Sequence, residues 1–312
     1  MTKIKNITLS LVMCGLMVIP IWGNEKSLED IKLYPSGEVV YVQGIFANNM
    51  VVEVLDKASK MKKNDVILSV ISRDGKEINC NNEEEMISLF KREKEPIKVI
   101  YKRDGEIKKE NMTSDDLREV LITNGSGYFG TITAIDQDGN FVGLAHNVSL
   151  NPKNDLQFKS SRVYRTSYVK TKKGRILRPG NIVTSPVNEK IGDIYSYGPY
   201  GVKGQLDKNY SLENLKPMSI AIPKEGKAYI YCKSPITNEL QMHEIEILEV
   251  EQRISKIKVL DDDLIQYRGG IVRGMSGSPV IQDGKIIGGV RSVSRLNNKI
   301  GHISNKDWKL KK

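Results

Sequence analysis

The stretch Gly270-Ile271-Val272-Arg273-Gly274-Met275-Ser276-Gly277-Ser278-Pro279-Val280-Ile281 decides how this chain is read. An apolar pair runs into a Gly-X-Ser-Gly turn, and a second apolar run leaves through Pro279. Glycine admits backbone conformations closed to other residues, so such a turn can push one hydroxyl outward and leave the neighbouring N–H groups bare. An exposed hydroxyl beside free backbone donors is what acyl transfer requires, a nucleophile next to an oxyanion site. The same letters also describe an ordinary Gly/Ser-rich hairpin turn. The surrounding chain decides between the two.

The chain has 312 residues, 39% of them hydrophobic, which is room for one small and one medium domain. Its net charge of +10 is spread along the sequence, aromatics are scarce, and no Arg-rich tract or RNA-binding signature occurs. Charge alone does not support a nucleic-acid partner, and attraction to an anionic membrane surface accounts for it equally well. Lys3 and Lys5 precede a mostly apolar run from Ile7 to Trp22, followed by Asn24-Glu25-Lys26. This is the layout of an export signal or an uncleaved anchor over residues 1–23, and it places the body of the protein outside the cytosol. The three cysteines, Cys14, Cys80 and Cys232, make no zinc-like pattern with histidine. No metal or organic cofactor is expected.

Residues 27–108 alternate short apolar runs with turns. Strands are expected at Glu38–Val42, Met50–Leu55, Val66–Val70 and Pro96–Tyr101, with a hairpin turn at Asp74-Gly75. A helix over Glu83–Lys91 has Met86, Leu89 and Phe90 at helical spacing. This is a small α+β module. The charged stretch 109–119 reads as a linker. From 120 to 312 the pattern becomes all-β: Phe129–Ile135 alternates, Phe141–Ala145 runs to His146, and short strands follow at close spacing with no long amphipathic helix. An antiparallel barrel or sandwich is expected.

Ser276 needs a base, and histidine is the side chain best suited near neutral pH. Of the three histidines, His146 closes an apolar strand, whereas His243 sits among polar neighbours and reads as exposed. His302 is placed to line a site wall. Asp261, Asp262 and Asp263 lie about 15 residues before Ser276, and Asp193 is a rival for orienting the imidazole. The triple Asp reads equally as a solvated loop or a helix start before Leu264-Ile265. Ser278 occupies the second small position of the turn and reads as a compact residue rather than a nucleophile.

The run 269–288, Gly-Gly-Ile-Val-Arg-Gly-Met-Ser-Gly-Ser-Pro-Val-Ile-Gln-Asp-Gly-Lys-Ile-Ile-Gly, resembles the active-site segment of the SpoIVB-type (stage IV sporulation protein B) serine peptidases. The N-terminal segment, the small module and the Gly-Leu-Ala-His run at 143–146 fall in that family's order. The resemblance implies a PDZ-like domain over 27–108 and a chymotrypsin-like β-barrel peptidase over 120–312. In the first, Met61–Val70 resembles the PDZ pattern and Pro35-Ser36-Gly37-Glu38 is the nearest counterpart of the peptide-carboxylate loop. In the second, it implies Ser276 as nucleophile, His146 as general base and Asp261 as the orienting acid, with the N–H groups of Gly274 and Ser276 holding the oxyanion. It further implies a protein substrate, a membrane-anchored sporulation regulator cleaved between forespore and mother-cell membranes to activate a late sigma factor, and self-cleavage. Two rival readings are a catalytically dead adaptor and a general envelope quality-control protease.

Overall fold

The computed structural model describes residues 31–46, 50–54, 60–62, 65–79, 88–89, 96–113, 116, 120–123, 125–146 and 158–304. The expected signal or anchor over 1–23 lies outside them, as does Cys80 and most of the expected helix, of which Ser88 and Leu89 are described as helical. No helix among the described residues is long and apolar enough to cross a membrane.

The chain enters with β1 (Lys32–Pro35) and β2 (Val39–Phe46). A small sheet follows: β3 (Met50–Val54), β4 (Val66–Ile71), β5 (Glu77–Asn79), β6 (Ile97–Arg103), β7 (Glu106–Met112) and β8 (Val120–Thr123). Next come β9 (Gly125–Ile135), β10 (Asn140–Gly143), β11 (Phe158–Lys172), β12 (Asn181–Gly198), β13 (Gly201–Leu206) and β14 (Met218–Ser219). The last set is β15 (Gly226–Lys233), β16 (Leu240–Val250), β17 (Ile254–Val259), β18 (Pro279–Gln282), β19 (Lys285–Val293) and β20 (Ile300–Ser304).

Two antiparallel barrels result. In the first, the order β10-β13-β12-β11-β2-β9 is closed by pairing of β10 with β9, while β1 and β14 extend the sheet beyond β9. Val40, Val42, Ile132, Phe141, Val163 and Ile194 fill it. In the second, β15-β16-β17-β20-β19-β18 closes on itself around Ile230, Ile245, Ile257, Val280, Ile287 and Ile303. Inward residues recur at alternate positions, as strand pleating dictates. The fold is mainly β, with two closed antiparallel barrels where the strand spacing after residue 120 predicts a barrel or sandwich.

The small module is bounded differently from its sequence reading. Glu38–Val42 does not belong to it: β2 pairs with β9 from Val39↔Thr131 to Ile45↔Gly125, and with β11 on its other edge. Pro35-Ser36-Gly37-Glu38 is likewise part of the first barrel. Ser36 N donates to Thr133 O and Gly37 N to Ile132 O, and Ile132 N donates to Glu38 O. Those donors are therefore not open to a peptide carboxylate. Nor is the boundary a charged linker over 109–119, since β7 runs through Met112 and β8 returns to pair with β3. The small sheet, ordered β7-β6-β4-β3-β8 with β5 beside β4, is thus an insertion between two neighbouring strands of the first barrel.

Its core is Ile67, Val70, Ile97, Val99, Tyr101 and Met112. Asp65, at the head of β4, is pinned there. Its carboxylate takes Arg103 Nε at 2.7 Å and Nη2 at 2.5 Å, and also accepts Lys62 N at 2.7 Å. The pair is largely buried, so removing one partner strands a charge away from water. Asp65→Ala should cost the small sheet about 3 kcal/mol. Urea unfolding followed by hydrogen exchange should show faster opening in β4 and β6 with β16–β20 unchanged; equal protection in β4 would refute it.

Candidate active site

The sequence places the key elements on opposite sides of one seam. Strand β9 carries Thr131 and Thr133 on one face, and both reach across to the Gly274–Gly277 turn. Thr131 N donates to Ser276 O at 2.7 Å, Thr131 Oγ1 to Gly274 O at 2.8 Å, and Thr133 Oγ1 to Gly277 O at 2.7 Å. From the other side Gly277 N donates to Val290 O at 2.7 Å. The glycines are demanded by this geometry. Gly274 and Gly277 have φ of 97° and 94°, and a Cβ on Gly277 would stand 2.0 Å from Thr131 O.

The turn presents Ser276 to a cleft of about 280 Å³ whose lining includes Phe129, His146, Arg273, Gly274 and Ser292. Ser276 and His146 therefore share one cleft between the barrels. Ser278, by contrast, is buried, its N–H donating to Met275 O and its carbonyl accepting Val290 N. Among the described residues, no hydrogen bond engages the N–H of Gly274 or of Ser276.

Ser276 Oγ donates to Leu144 O at 2.8 Å rather than to an imidazole. That carbonyl is aimed by an unusual backbone, because Leu144 and Ala145 have φ of 68° and 50°. Two successive side-chain-bearing residues in the left-handed region are costly and persist only when their surroundings fix them. Here Leu144 N donates to Thr131 O, and Arg291 Nη1 donates to Ala145 O at 3.1 Å and Pro199 O at 3.0 Å.

Asp261 has a different partner from the one expected. Its Oδ1 lies 3.1 Å from Nδ1 of His243 and accepts Leu264 N at 2.8 Å, starting the helical turn Leu264–Arg268. The approach to His243 is an ionic contact rather than an aligned hydrogen bond. Strand register causes this pairing: Leu260 N and Asp261 N both donate to Glu244 O, which sets the end of β17 against His243. His243 itself is not exposed as its polar neighbours suggest; it is 2% exposed, on the inward face of β16 with Ile245 and Ile247. That alternation was the signal available in the sequence. Asp193 is an exposed surface partner of Lys190, at 2.7 Å, and His302 Nδ1 stands 3.1 Å from Ser292 Oγ on the cleft wall.

Beside His243 lie Cys232, a free buried thiol, and Arg268, whose Nη1 approaches Cys232 Sγ at 3.6 Å and whose Nη2 donates to Lys233 O at 2.6 Å. Burial alone would push the His243 imidazole down, but Cys232 and Asp261 together outweigh it and hold it above the ordinary 6.5. No group of acidic, histidine and cysteine residues able to hold a metal occurs among the described residues.

The sequence profile of the SpoIVB peptidase S55 family matches residues 119–308. Among solved structures, the inactive form of Rv3671c from M. tuberculosis H37Rv is 12% identical, with TM-score 0.32, covering 57% of this chain and 76% of that one. The human pathogenic astrovirus serine protease gives 12% and 0.32, covering 58% and 85%. Deg5 gives 11% and 0.22, covering 85% and 83%. At such TM-scores these likenesses carry no argument. No curated protein matches the chain.

Two outcomes are expected. Thr133→Val leaves the buried Gly277 carbonyl unpaired, a loss of about 1–3 kcal/mol. Thermal unfolding should shift downward accordingly, and an unchanged midpoint would show that the contact does not hold the turn. For His243 the raised folded value means that the folded state holds its proton more tightly. The stabilisation is complete below pH about 6.5 and is lost as pH rises through the raised value. The stability advantage of wild type over His243→Gln should therefore shrink with rising pH across that window; an advantage that grows would contradict the ion pair.

Proposed function

The chain belongs to the SpoIVB peptidase S55 family and is a serine peptidase, and we propose that Ser276 is its nucleophile and His146 its general base. The observation that carries this reading is the shared cleft. The hydroxyl of Ser276 and the imidazole of His146 come from different barrels to one concave surface, on a turn with two uncommitted N–H groups.

In the reaction, Ser276 Oγ exchanges Leu144 O for His146 and gives up its proton as it attacks the peptide carbonyl. The N–H groups of Gly274 and Ser276 receive the oxyanion, each such donor being worth on the order of 3 kcal/mol. His146 returns the proton to the leaving amine, and water then hydrolyses the acyl-enzyme. Asp261 contributes through its contact with His243 and its cap on Leu264–Arg268, the turn that leads into Gly269-Gly270 and the nucleophile loop. It is a positioning residue in this scheme. The substrate backbone lies along Arg291–Val293 of β19, which line the cleft beside Ser276.

Family membership and the export-like N-terminus support a biological setting for this reading. The enzyme acts outside the cytosol in the forespore intermembrane space. It cleaves a membrane-held sporulation regulator, thereby triggering late sigma factor activation, and it cleaves itself near its own N-terminal segments. The small inserted sheet is, in this reading, a PDZ-like module that either recruits the substrate or inhibits the enzyme, and it lacks the Pro35–Glu38 loop, which belongs to the first barrel.

A fluorophosphonate should label the wild type at Ser276, and labelling should vanish in Ser276→Ala with a fall in kcat of about 10⁴-fold or more. Ser278→Ala should retain both labelling and proteolysis. A folded wild type that resists labelling would favour the adaptor reading, and activity surviving Ser276→Ala but lost in Ser278→Ala would transfer the role.

A further inference from the structure

The hairpin between β11 and β12 ends in a turn whose chemistry conflicts with its geometry. Arg175 and Arg178 face each other through reciprocal backbone hydrogen bonds, Arg175 N to Arg178 O at 2.8 Å and Arg178 N to Arg175 O at 2.9 Å. Only Ile176 and Leu177 lie between them. Two-residue turns of this kind favour Gly, Asn or Asp, since they call for left-handed backbone. Here Leu177 adopts φ of 64°, and both apolar side chains stand in solvent, Ile176 74% exposed and Leu177 65%.

Flexibility does not explain this exposure. Leu177 N donates to Arg295 O at 2.8 Å, and Asn298 Nδ2 donates to Arg175 O at 3.2 Å, so the apex is fastened to the β19–β20 loop. That loop adds Leu296, 72% exposed. The three exposed apolar side chains thus stand on two turns fastened to each other by hydrogen bonds.

The surroundings are cationic. From Lys170 to Arg178 five of nine residues are basic and none is acidic, and Arg295 joins them from the second barrel. Lys172, Lys173, Arg175, Arg178 and Arg295 are all exposed, and no ion pair engages them among the described residues.

We propose that the Arg175–Arg178 turn, with Leu296, is a membrane-docking wedge for a bilayer containing anionic lipid. Ile176, Leu177 and Leu296 enter the boundary between headgroups and acyl chains while the ring of lysines and arginines meets the lipid phosphates and carboxylates. Charge complementarity between the exposed basic ring and anionic lipid, together with the exposed apolar apex, selects this occupant. Gly180 O, two residues past Arg178, accepts Arg273 N at 2.9 Å, and Arg273 lines the cleft. The base of the hairpin is thereby tied through one backbone hydrogen bond to the lining of the cleft.

Hydrogen exchange of the full chain tests this locally, independently of any lipid contact made by residues 1–23. The probes are vesicles of phosphatidylcholine alone and of phosphatidylcholine with about 30% phosphatidylserine. Exchange over 172–178 and 294–298 should slow by about fivefold or more with the mixed vesicles only, and recover in about 0.5 M salt, where charge is screened. The double variant Ile176→Ser/Leu177→Gly should lose this protection while keeping its melting temperature and its activity on a soluble peptide. Lys172→Glu/Lys173→Glu should weaken the protection with the apolar apex intact. Unchanged exchange with mixed vesicles, or equal protection by pure phosphatidylcholine, would overturn the proposal. So would protection that rises with protein concentration in the absence of vesicles, which would assign the patch to a second copy of the chain.

Discussion

Everything at the site depends on one strand, β9, hydrogen-bonding across the seam between the barrels. A barrel closes its own edges and so has no reason to hold a neighbour in register. Thr131 and Thr133 supply that reason. Their N–H and hydroxyl groups take the carbonyls of Gly274, Ser276 and Gly277, leaving the turn's outward N–H groups uncommitted. The same strand pairs with β10, whose end leads through Leu144 and Ala145 to His146. One strand therefore fixes both sides of the cleft, and errors in its placement would separate His146 from Ser276.

This dependence also accounts for the insertion. Strands β2 and β9 are neighbours in the first barrel, yet the whole small sheet lies between them in the chain. Such an arrangement is tolerated because the two strands' ends lie close together, which is what an inserted domain requires. The short apolar run Glu38–Val42 and the alternation in Phe129–Ile135 announced two strands, but such patterns name an element and not its partner. Local order therefore assigned β2 to the small module, and the pairing across some 80 residues was invisible.

The site was legible in proportion to how local its chemistry is. The glycine turn around Ser276 follows from residues that touch each other in sequence, and His146 follows from its place at the end of an apolar strand. Asp261 depended on something else. Its distance from Ser276 along the chain says how far it can reach, while the register of β17 against β16 says what it meets, and that is His243. The inward alternation of His243, Ile245 and Ile247 carried that information, though the polar neighbours of His243 masked it. Thr131 and Thr133 were missed for a related reason: in a β-rich sequence, threonine reads as ordinary strand filler.

A further constraint joins the resting geometry to the chemistry. Ser276 Oγ is held by Leu144 O, and Leu144 owes its orientation to a left-handed backbone that Thr131 and Arg291 maintain. Strained residues of this kind are stable only while every neighbour enforces them. Rotation of the 144–145 segment into an ordinary conformation would withdraw the carbonyl from Ser276 and move His146 at the same time, since His146 is the next residue. Freeing the Ser276 hydroxyl and moving the His146 imidazole are then a single backbone event. Arg291, one of the contacts that hold the segment, lines the cleft, and Thr131, the other, bonds the turn that carries Ser276, so a group entering the cleft and the release of the Ser276 hydroxyl act on the same few hydrogen bonds.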